Sequence, residues 1–462
     1  MEAIIITSIT GVLMMLAGAA NRPKLSLIIA FFGLTVAFAA NIGFCFVEHD
    51  FANHMVISDF FSVRFNALLI FLTFLTFLLY WSQCSVKAPH ADEIAVLLVF
   101  STVGMLIMTS FGNLTTLFLG IEIMSLPLYV LAGSKKFSLS SNEAAMKYFL
   151  MGSFATGIML FGIALIYGQT ASFDFHKISE YLVSVNNTPS NMFVVGALML
   201  TVGLLFKVAA VPFHFWAPDV YEGSPMLITS FMSTVAKVAS VATLYRLYFF
   251  YFNGVKSQFA LTIGIIAVAS FVIASLIATK QNTFKRLVAY SGIAHTGFML
   301  LSILILDTDS ANALFLYAVS YSVSIFTIFA VLLTISPAGN EDAFEIVKGL
   351  AYKNKFLAVC MTIALFSLAG IPPLSGFMAK FYMFLPLAGN GFVAILILAI
   401  LASAVGVYYY LKPIQILFSK DEKSSYKIAL TPELIILLVL SLGITLVLGA
   451  MPWILESVFS FI

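Results

Sequence analysis

Five residues that can hold or release a proton interrupt otherwise apolar stretches of this chain. Lys207 stands in LMLTVGLLFKVAAVP, Lys237 in STVAKVASVATLYRLYFF and Lys380 in GIPPLSGFMAKFYMF. Glu122 stands in LFLGIEIMSLPLYV and His295 in AYSGIAHTGFMLL. A charge at the centre of a membrane helix costs about 2.5–3.5 kcal/mol on the insertion scale. Such residues usually face a wet interior and mark ion or proton paths, so we expect these five to form a proton relay.

Simpler interpretations compete with the relay at several positions. A single deep carboxylate could neutralise only one lysine, so the surplus of deep lysines favours a hydrated row of titratable groups. A lone His295 is also compatible with a packed, hydrogen-bonded imidazole. Glu143 and Lys147 are spaced i,i+4 at the start of a predicted span, where a local ion pair is as good an interpretation as a role in the relay. Arg246 and Lys412 lie nearer span ends, where long basic side chains reach the interface.

Long apolar segments must hold these residues in a membrane. Of the 462 residues, 61% are hydrophobic and 10% charged, and the mean hydropathy is +1.05, whereas soluble domains carry about 25% charge. A spanning helix needs about 20 apolar residues. We therefore predict an all-α polytopic membrane protein with about fourteen spans, near 3–20, 25–47, 60–82, 94–111, 113–133, 143–168, 192–214, 224–252, 258–279, 285–306, 310–335, 355–386, 391–418 and 432–460.

Two of these spans contain a helix-breaking sequence. Span 7 is interrupted at Pro212 and span 12 at Gly370–Pro373, an offset of 160 residues from Pro212 to Pro372 and five spans in number. An odd number of spans inverts the second unit, so two inverted five-helix repeats with discontinuous helices 7 and 12 are expected. The predicted divisions of a single membrane domain are 1–93 for the first three helices, 94–252 and 253–418 for the repeats, and 419–462 for the last loop and helix. A short surface helix is expected at 173–185.

The loops predict the orientation, because cytoplasmic loops of membrane proteins are rich in Lys and Arg. Fourteen basic residues lie on one set of loops and two on the other, Lys177 and Lys256. Both termini should therefore face outward, and a bacterial inner membrane is the expected location. The fourteen are Arg22, Lys24, Lys87, Lys135, Lys136, Lys280, Lys285, Arg286, Lys348, Lys353, Lys355, Lys420, Lys423 and Lys427.

The sequence also argues against several kinds of bound group. Cys45, Cys84 and Cys360 are isolated and lack the C-x-x-C spacing of zinc or iron–sulfur sites. No glycine-rich nucleotide loop follows a strand. We therefore expect no metal or cofactor in this chain, and a net charge of +2 gives no indication of nucleic-acid binding. The first span lacks a basic leader and is expected to be retained rather than cleaved.

Five motifs are distributed along the whole chain. They are Gly120-Ile121-Glu122 with Leu126-Pro127; Asn142-Glu143-Ala-Ala-Met-Lys147-Tyr148-Phe149; Lys207-Val-Ala-Ala-Val-Pro212-Phe213-His214-Phe215-Trp216-Ala-Pro218-Asp219-Val220-Tyr221-Glu222-Gly223; Lys285-Arg286-Leu-Val-Ala-Tyr290-Ser291 with Gly292 and His295; and Gly370-Ile371-Pro372-Pro373-Leu-Ser-Gly376-Phe377 with Lys380. Together they resemble the antiporter-like membrane subunits of respiratory complex I, the proton-translocating NADH:quinone oxidoreductase. The resemblance is closest to the N type, because L- and M-type subunits usually read Pro-Asp-Ala-His at positions 218–221.

The resemblance implies a role for each candidate residue. Glu122 pairs with Lys207 in a first half-channel, and Lys237 links that pair inward through water. His295 bridges to the second half, where Lys380 is the outer proton donor. Glu143 and Lys147 match a family motif without a defined role.

The same resemblance implies a proton-translocating subunit that couples electron transfer to quinone with proton pumping. Quinone, FMN and iron–sulfur clusters would sit on partner subunits, and the partners would be other membrane and peripheral subunits of complex I, including neighbouring antiporter-like subunits. A subunit of a multi-subunit cation/proton antiporter is the first alternative. A purely structural membrane subunit is the second, and it leaves the deep lysines unexplained.

Overall fold

Long apolar helices make up most of the structure, a computed structural model that describes residues 1–43, 49–51, 53–83, 91–336, 343–420 and 430–455. Twelve helices in these ranges are long and apolar enough to cross a membrane. Two shorter apolar helices, Asn191–Lys207 and Lys355–Ala369, lie where spans 7 and 12 were predicted to break. The predicted all-α membrane fold is confirmed, and the total of fourteen spans stays a prediction.

The helices follow one another with short connections. The longer ones are α1 (Glu2–Ala19), α2 (Pro23–Gly43), α3 (Phe60–Gln83), α4 (Ala91–Thr109), α5 (Leu114–Ala132), α6 (Leu139–Thr170), α7 (Phe175–Ser184), α8 (Asn191–Lys207), α11 (Lys237–Arg246), α12 (Lys256–Ala278), α13 (Phe284–Leu300), α15 (Thr308–Ile335), α17 (Lys355–Ala369), α18 (Ser375–Gly389), α19 (Val393–Phe418) and α20 (Pro432–Ala450). The short ones are α9 (Trp216–Gly223), α10 (Met226–Phe231), α14 (Ser302–Ile305) and α16 (Leu350–Lys353), and single 3₁₀ turns occupy Asn253–Val255 and Phe344–Val347.

Three helical segments form the centre of the molecule. In the most apolar 18-residue stretch of each segment, 94% of the residues are buried for Met226–Tyr251 and Phe284–Ile305 and 89% for Thr308–Ile335. The first contains α10 and α11 and has π-helical turns at Met232–Ala236 and Leu247–Tyr251. Single π-helical turns often mark functional sites in helices, and the first of these directly precedes Lys237.

The predicted interruption of span 7 is a capped helix end. After α8 the chain passes through Ala209, which has a left-handed backbone with φ 59°. The Ala209 N–H donates to the Phe206 carbonyl and the Ala210 N–H to the Leu205 carbonyl, both at 3.0 Å. This pair of bonds is a Schellman motif, which satisfies carbonyls that a helix end leaves open.

The first half of span 12 also ends in a Schellman motif. Gly370 is left-handed with φ 84°, its N–H donates to Ser367 at 2.9 Å, and the Ile371 N–H donates to Phe366 at 3.1 Å. Proline follows the left-handed residue by three positions in both breaks. Pro212 therefore corresponds to Pro373 in backbone geometry, one residue beyond the Pro372 used for the sequence offset.

One side of the molecule carries small structures between the helices, which we call the hairpin face. A β-hairpin pairs β1 (His49–Phe51) with β2 (Val56–Ser58), and was not predicted. Bridges join Val56 to Phe111 and Asn113 to Asp174, at the start of α7. The predicted surface helix is confirmed as α7, and the Asp174 side chain caps it by accepting from the His176 N–H at 2.9 Å.

Arg246 does not reach an interface, so that prediction is wrong. Its side chain is fully buried, with Nη1 2.6 Å from Asp59 Oδ2, and Nε donates to the Phe111 carbonyl at 3.1 Å. A counter-charge at the start of α3 compensates the burial, and the position of Arg246 near a span end gave no sign of it. Lys412 is partly exposed, and its amine donates to Asn282 Oδ1 at 2.6 Å.

Candidate functional site

The Lys207 amine lies between two hydroxyls of α5. Its residue is the last of α8 and is 7% exposed. Nζ donates to Ser125 Oγ at 2.8 Å and to Tyr129 Oη at 3.1 Å. Glu122, Ser125 and Tyr129 share one face of α5, because residues three, four and seven positions apart align on a helix. The Lys207 amine of α8 therefore contacts a polar stripe on α5 that also contains the predicted carboxylate.

The Glu122 carboxylate bonds to helix α6 and not to Lys207. Its Oε1 accepts a hydrogen bond from Thr156 Oγ1 of α6 at 2.9 Å. No ion pair joins Glu122 to Lys207 in the described part of the chain. The pairing implied by the family resemblance is therefore indirect. Glu122 shares a face of α5 with the hydroxyls that bind the Lys207 amine, and the carboxylate does not contact the amine itself.

Lys237 lies deeper in the protein than the other two lysines. Its side chain is 2% exposed and follows the first π-helical turn of the central segment. Within the described residues, Nζ has no hydrogen-bond partner. The amine faces Gly292 of α13, where an added Cβ would lie 2.9 Å from Nζ. Glycine at this position therefore leaves room for the amine beside the central helix.

Both ring nitrogens of His295 are hydrogen-bonded to tyrosine hydroxyls. Nδ1 lies 2.7 Å from Tyr317 Oη, and Nε2 lies 3.2 Å from Tyr410 Oη. A neutral imidazole donates from one nitrogen and accepts at the other. His295 is 3% exposed, so it joins α13 to α15 and α19 through two groups that can pass a proton. Neither Tyr317 nor Tyr410 was predicted as a site residue.

Lys380 caps the broken end of span 12. Its amine donates to the carbonyls of Leu368 at 3.1 Å and Ala369 at 2.9 Å, and to Ser403 Oγ at 2.9 Å. Carbonyls at a helix C-terminus carry partial negative charge. The break therefore supplies acceptors for the amine deep in the protein, where Lys380 is 6% exposed.

Helix α19 connects Lys380 with His295. Ser403 and Tyr410 are seven residues apart, about two helical turns, and so lie on one face. The first hydroxyl accepts from Lys380, and the second bonds to the His295 ring. The seven-residue spacing of Ser403 and Tyr410 in span 13 was the signal that could have marked this face as polar.

A cluster of serine hydroxyls crosses the second break. Ser320 Oγ lies 2.8 Å from Ser375 Oγ, Ser324 Oγ donates to Ser367 Oγ at 3.0 Å, and Ser367 and Ser375 hydroxyls are 3.3 Å apart. All four side chains are buried. The cluster provides a continuous set of neutral donors and acceptors between α15 and the two halves of span 12.

Glu143 and Lys147 lie in a separate, more exposed cluster of charges. They form an ion pair at 2.7 Å, and Lys147 Nζ is also 2.7 Å from Asp219 Oδ2. Arg286 Nη1 lies 2.6 Å from Glu222 Oε2. An open pocket of about 140 Å³ lies among Glu143, Lys147, Asp219 and Glu222. Asp219 and Glu222 of α9, together with Arg286, extend the predicted Glu143–Lys147 ion pair into a larger cluster. The Pro-Asp-Val-Tyr-Glu-Gly motif was the signal that could have identified these residues.

Comparisons with known proteins agree with the motifs. Residues 112–406 match the family model described as NADH:quinone oxidoreductase/Mrp antiporter, TM. The NADH-quinone oxidoreductase subunit N of Cytophaga hutchinsonii is 38% identical over 427 residues, covering 92% of each chain. That of Flavobacterium psychrophilum is 40% identical over 427 residues, covering 92% of this chain and 93% of the relative.

Solved structures show the same fold. A chain of respiratory complex I from Thermus thermophilus with bound aureothin matches with a TM-score of 0.84 and 30% identity, covering 97% of both chains. A chain of the Mrp complex from Dietzia sp. matches with a TM-score of 0.88 at 20% identity, covering 99% of this chain and 96% of that one, which is a likeness of fold alone. The chain thus belongs to the NADH:quinone oxidoreductase/Mrp antiporter family, in its NADH-quinone oxidoreductase subunit N branch.

Proposed function

We propose that this chain, as the N subunit of an NADH-quinone oxidoreductase, carries protons on Glu122, Lys207, Lys237, His295 and Lys380. The proposal rests on the burial of three lysine amines that have no carboxylate partner among the described residues. Their exposed fractions are 7%, 2% and 6%, and the groups that accept from Lys207 and Lys380 are hydroxyls and carbonyls. A permanent charge at such a position is costly, whereas a titratable amine suits a proton path.

The driving energy comes from outside this chain. Electron transfer to quinone, through FMN and iron–sulfur clusters on partner subunits, shifts the protonation of Glu122 and Lys207. The change passes through Lys237 and His295 to Lys380. The match to a chain of Thermus thermophilus complex I supports assembly with the membrane and peripheral subunits of such a complex, including neighbouring antiporter-like subunits.

The exposed charge cluster lies beside the first part of this path. Lys147 contacts Asp219 of α9, the short helix that follows the break after Lys207. We assign Glu143 and Lys147 to the entry of protons from the basic side of the membrane. Their open pocket gives water access to charges at the start of α6, which is what an entry requires.

The proposed setting is a bacterial inner membrane with both termini outside. The basic loops and the bacterial relatives support it. Two inverted repeats, 94–252 and 253–418, would place Lys207 and Lys380 beside equivalent breaks. The matching Schellman motifs support this division.

The test measures NADH-driven proton uptake into inverted membrane vesicles from a strain that carries Lys237→Ala. We expect proton uptake to fall by about a hundredfold or more, the scale on which a positioned proton-transfer group acts, while native gels show the assembled complex. Lys177→Ala, on the exposed face of α7, is the matched control and should retain wild-type uptake. Wild-type uptake in assembled Lys237→Ala would refute the relay.

The fold similarity to the Mrp complex keeps a cation/proton antiporter as a second candidate. An antiporter predicts that a Na⁺ or K⁺ pulse moves protons across these vesicles without NADH. We expect no such movement. Cation-driven proton movement that Lys237→Ala abolishes would favour the antiporter over the NADH-driven function.

A further inference from the structure

Two buried polar atoms lie against the same glycine in the centre of the molecule. An added Cβ at Gly292 would lie 2.9 Å from Lys237 Nζ and 3.0 Å from Tyr321 Oη. The two side chains are 2% and 1% exposed. Neither atom has a hydrogen-bond partner among the residues that the structure describes. Buried polar groups are nearly always hydrogen-bonded in native proteins, so this juxtaposition requires an explanation.

Tyr321 also borders the His295 site. Tyr317 and Tyr321 are one turn apart on α15, and the Tyr317 hydroxyl bonds to His295 Nδ1 at 2.7 Å. The Tyr321 ring is 5.1 Å from the His295 ring, centroid to centroid. Lys237 itself makes no hydrogen bond to the imidazole. The Tyr321 side chain therefore borders both Lys237 and His295.

We propose that Tyr321 transfers protons between Lys237 and His295, with water beside Gly292 joining its hydroxyl to the lysine amine. The inference rests on the proposed relay and adds a residue to it. A buried water needs two or more polar partners, and the amine and the hydroxyl provide them. A tyrosine hydroxyl donates one hydrogen bond and accepts others, so it can receive a proton on one side and release one on the other.

The transfer leaves no net change on Tyr321. The lysine ammonium gives a proton to the intervening water, which passes one of its own to the phenol oxygen. The phenol releases its original proton to a second water on its His295 side, and that water passes one of its own through the Tyr317 hydroxyl to His295 Nδ1. An O–H bond forms and an O–H bond breaks at Tyr321, and rotation of the hydroxyl restores the starting arrangement.

Tyr321→Phe is the direct test, because it removes only the hydroxyl. NADH-driven proton uptake should fall by about a hundredfold in vesicles in which native gels show the assembled complex. The matched control is Tyr248→Phe, which deletes an equally buried hydroxyl bonded to Thr201 at 2.8 Å and should retain uptake. Wild-type uptake in Tyr321→Phe, or an equal fall in both variants, would overturn the assignment.

A double variant separates a role in transfer from a packing role. If Tyr321 acts on the proton leaving Lys237, Tyr321→Phe should cause no further loss in a Lys237→Ala background. Losses that multiply in the double variant would indicate an independent structural effect and overturn the proposal. If Lys237→Ala alone pumps normally, the relay itself fails; if it loses pumping while Tyr321→Phe does not, only this inference fails.

Gly292→Ala tests the shared space without removing either polar group. The added methyl would press on both atoms, so uptake should fall as in Tyr321→Phe. Gly264→Ala, in α12, is the control, since its nearest neighbour would be 3.6 Å away. Equal uptake in the two alanine variants would contradict a proton path beside Gly292.

Discussion

The hydrogen-bond partners of the buried lysines determine which charges remain after a lysine releases its proton. An amine paired with a carboxylate leaves a bare negative charge when it releases its proton, which is costly at low dielectric. Lys207 instead bonds to hydroxyls, and Lys380 to two carbonyls and a hydroxyl. Neutral partners can stay in place whether or not the lysine carries a proton. The side chains around the relay are thus suited to repeated transfer without rearranged ion pairs.

Substitution of Lys207 tests this property at one residue. Lys207→Ala should lower coupled proton uptake by about a hundredfold or more without loss of the assembled complex. Lys207→Arg should not restore uptake, because a guanidinium stays protonated and cannot release a proton. The measurement is NADH-driven uptake per assembled complex. Full activity in the arginine variant would mean that only a positive charge is needed there.

Lys380 and Lys412 provide a matched pair for the same substitution. Lys380→Arg should impair proton uptake at normal assembly, because titration is lost in a buried amine. Lys412→Arg should be near neutral, since the partly exposed amine only anchors α19 to Gln281 and Asn282. If both variants pump like wild type, Lys380 is an anchor and its place in the relay is wrong.

At the scale of helices, each broken span creates polar groups where a continuous helix would have none. The Schellman motifs at Ala209 and Gly370 satisfy part of the open carbonyls. The Lys380 amine satisfies those of Leu368 and Ala369. An amine and a helix end therefore stabilise each other at a depth where neither would be stable alone.

Gly370→Ala should disturb that arrangement in a specific way. A left-handed alanine costs about 1–2 kcal/mol, and its Cβ would lie 3.0 Å from both Cδ and Nζ of Lys380. We expect lower proton uptake per assembled complex. Gly391→Ala is the control, since Gly391 has φ 80° and nothing within 4 Å of an added Cβ. It has the same backbone cost, so an equal loss of uptake in both would show that backbone strain, and not Lys380, is responsible.

The Asp59–Arg246 ion pair fixes the start of α3 against the end of α11. Asp59→Ala leaves a fully buried guanidinium without its counter-charge, a change that typically costs about 3–5 kcal/mol. The complex should lose this chain at a lower temperature on heating in mild detergent. Asp309→Ala removes an exposed carboxylate and should leave that temperature unchanged. No difference between the variants would mean that the pair contributes little to stability.

Local sequence predicted the helices and their breaks, while contacts between distant helices were largely beyond it. An apolar run of sufficient length forms a membrane helix, and proline disfavours its continuation, so interruptions at Pro212 and Gly370–Pro373 could be predicted directly. Tyr317 and Tyr410 lie in apolar segments, where a tyrosine by itself does not indicate a functional site. Only the packing of the helices brings them to His295. Arg246 was misjudged for the same reason, since its partner Asp59 lies far earlier in the chain.

Across the whole molecule, the two sides of the helical body differ in structure and charge. The hairpin face has β1–β2, Phe111–Asn113 and α7 joined by backbone bridges. The opposite side has the charge cluster of Lys147, Asp219 and Arg286. Helix α6 runs between these sides over 32 residues, about 48 Å at 1.5 Å per residue, which exceeds a hydrocarbon core of about 30 Å.

Single cysteines on either side of α6 test the orientation of the chain. Phe137 is 96% exposed before α6, and Val183 is 68% exposed on α7. In a background without Cys45, Cys84 and Cys360, a membrane-impermeant maleimide should label Phe137→Cys only in inverted vesicles and Val183→Cys only in intact spheroplasts. The basic loops predict this pattern, because Lys and Arg are retained in the cytoplasm.

Each other labelling pattern overturns a different part of the topology. Labelling of both cysteines from one side would contradict the crossing of the membrane by α6. The reverse pattern would keep the crossing and invert the whole chain. Glu143 and Lys147 would then lie on the outer side, and the proposed direction of proton entry would be wrong, because both residues follow Phe137 at the same end of α6. The labelling pattern therefore decides which end of the relay faces the cytoplasm.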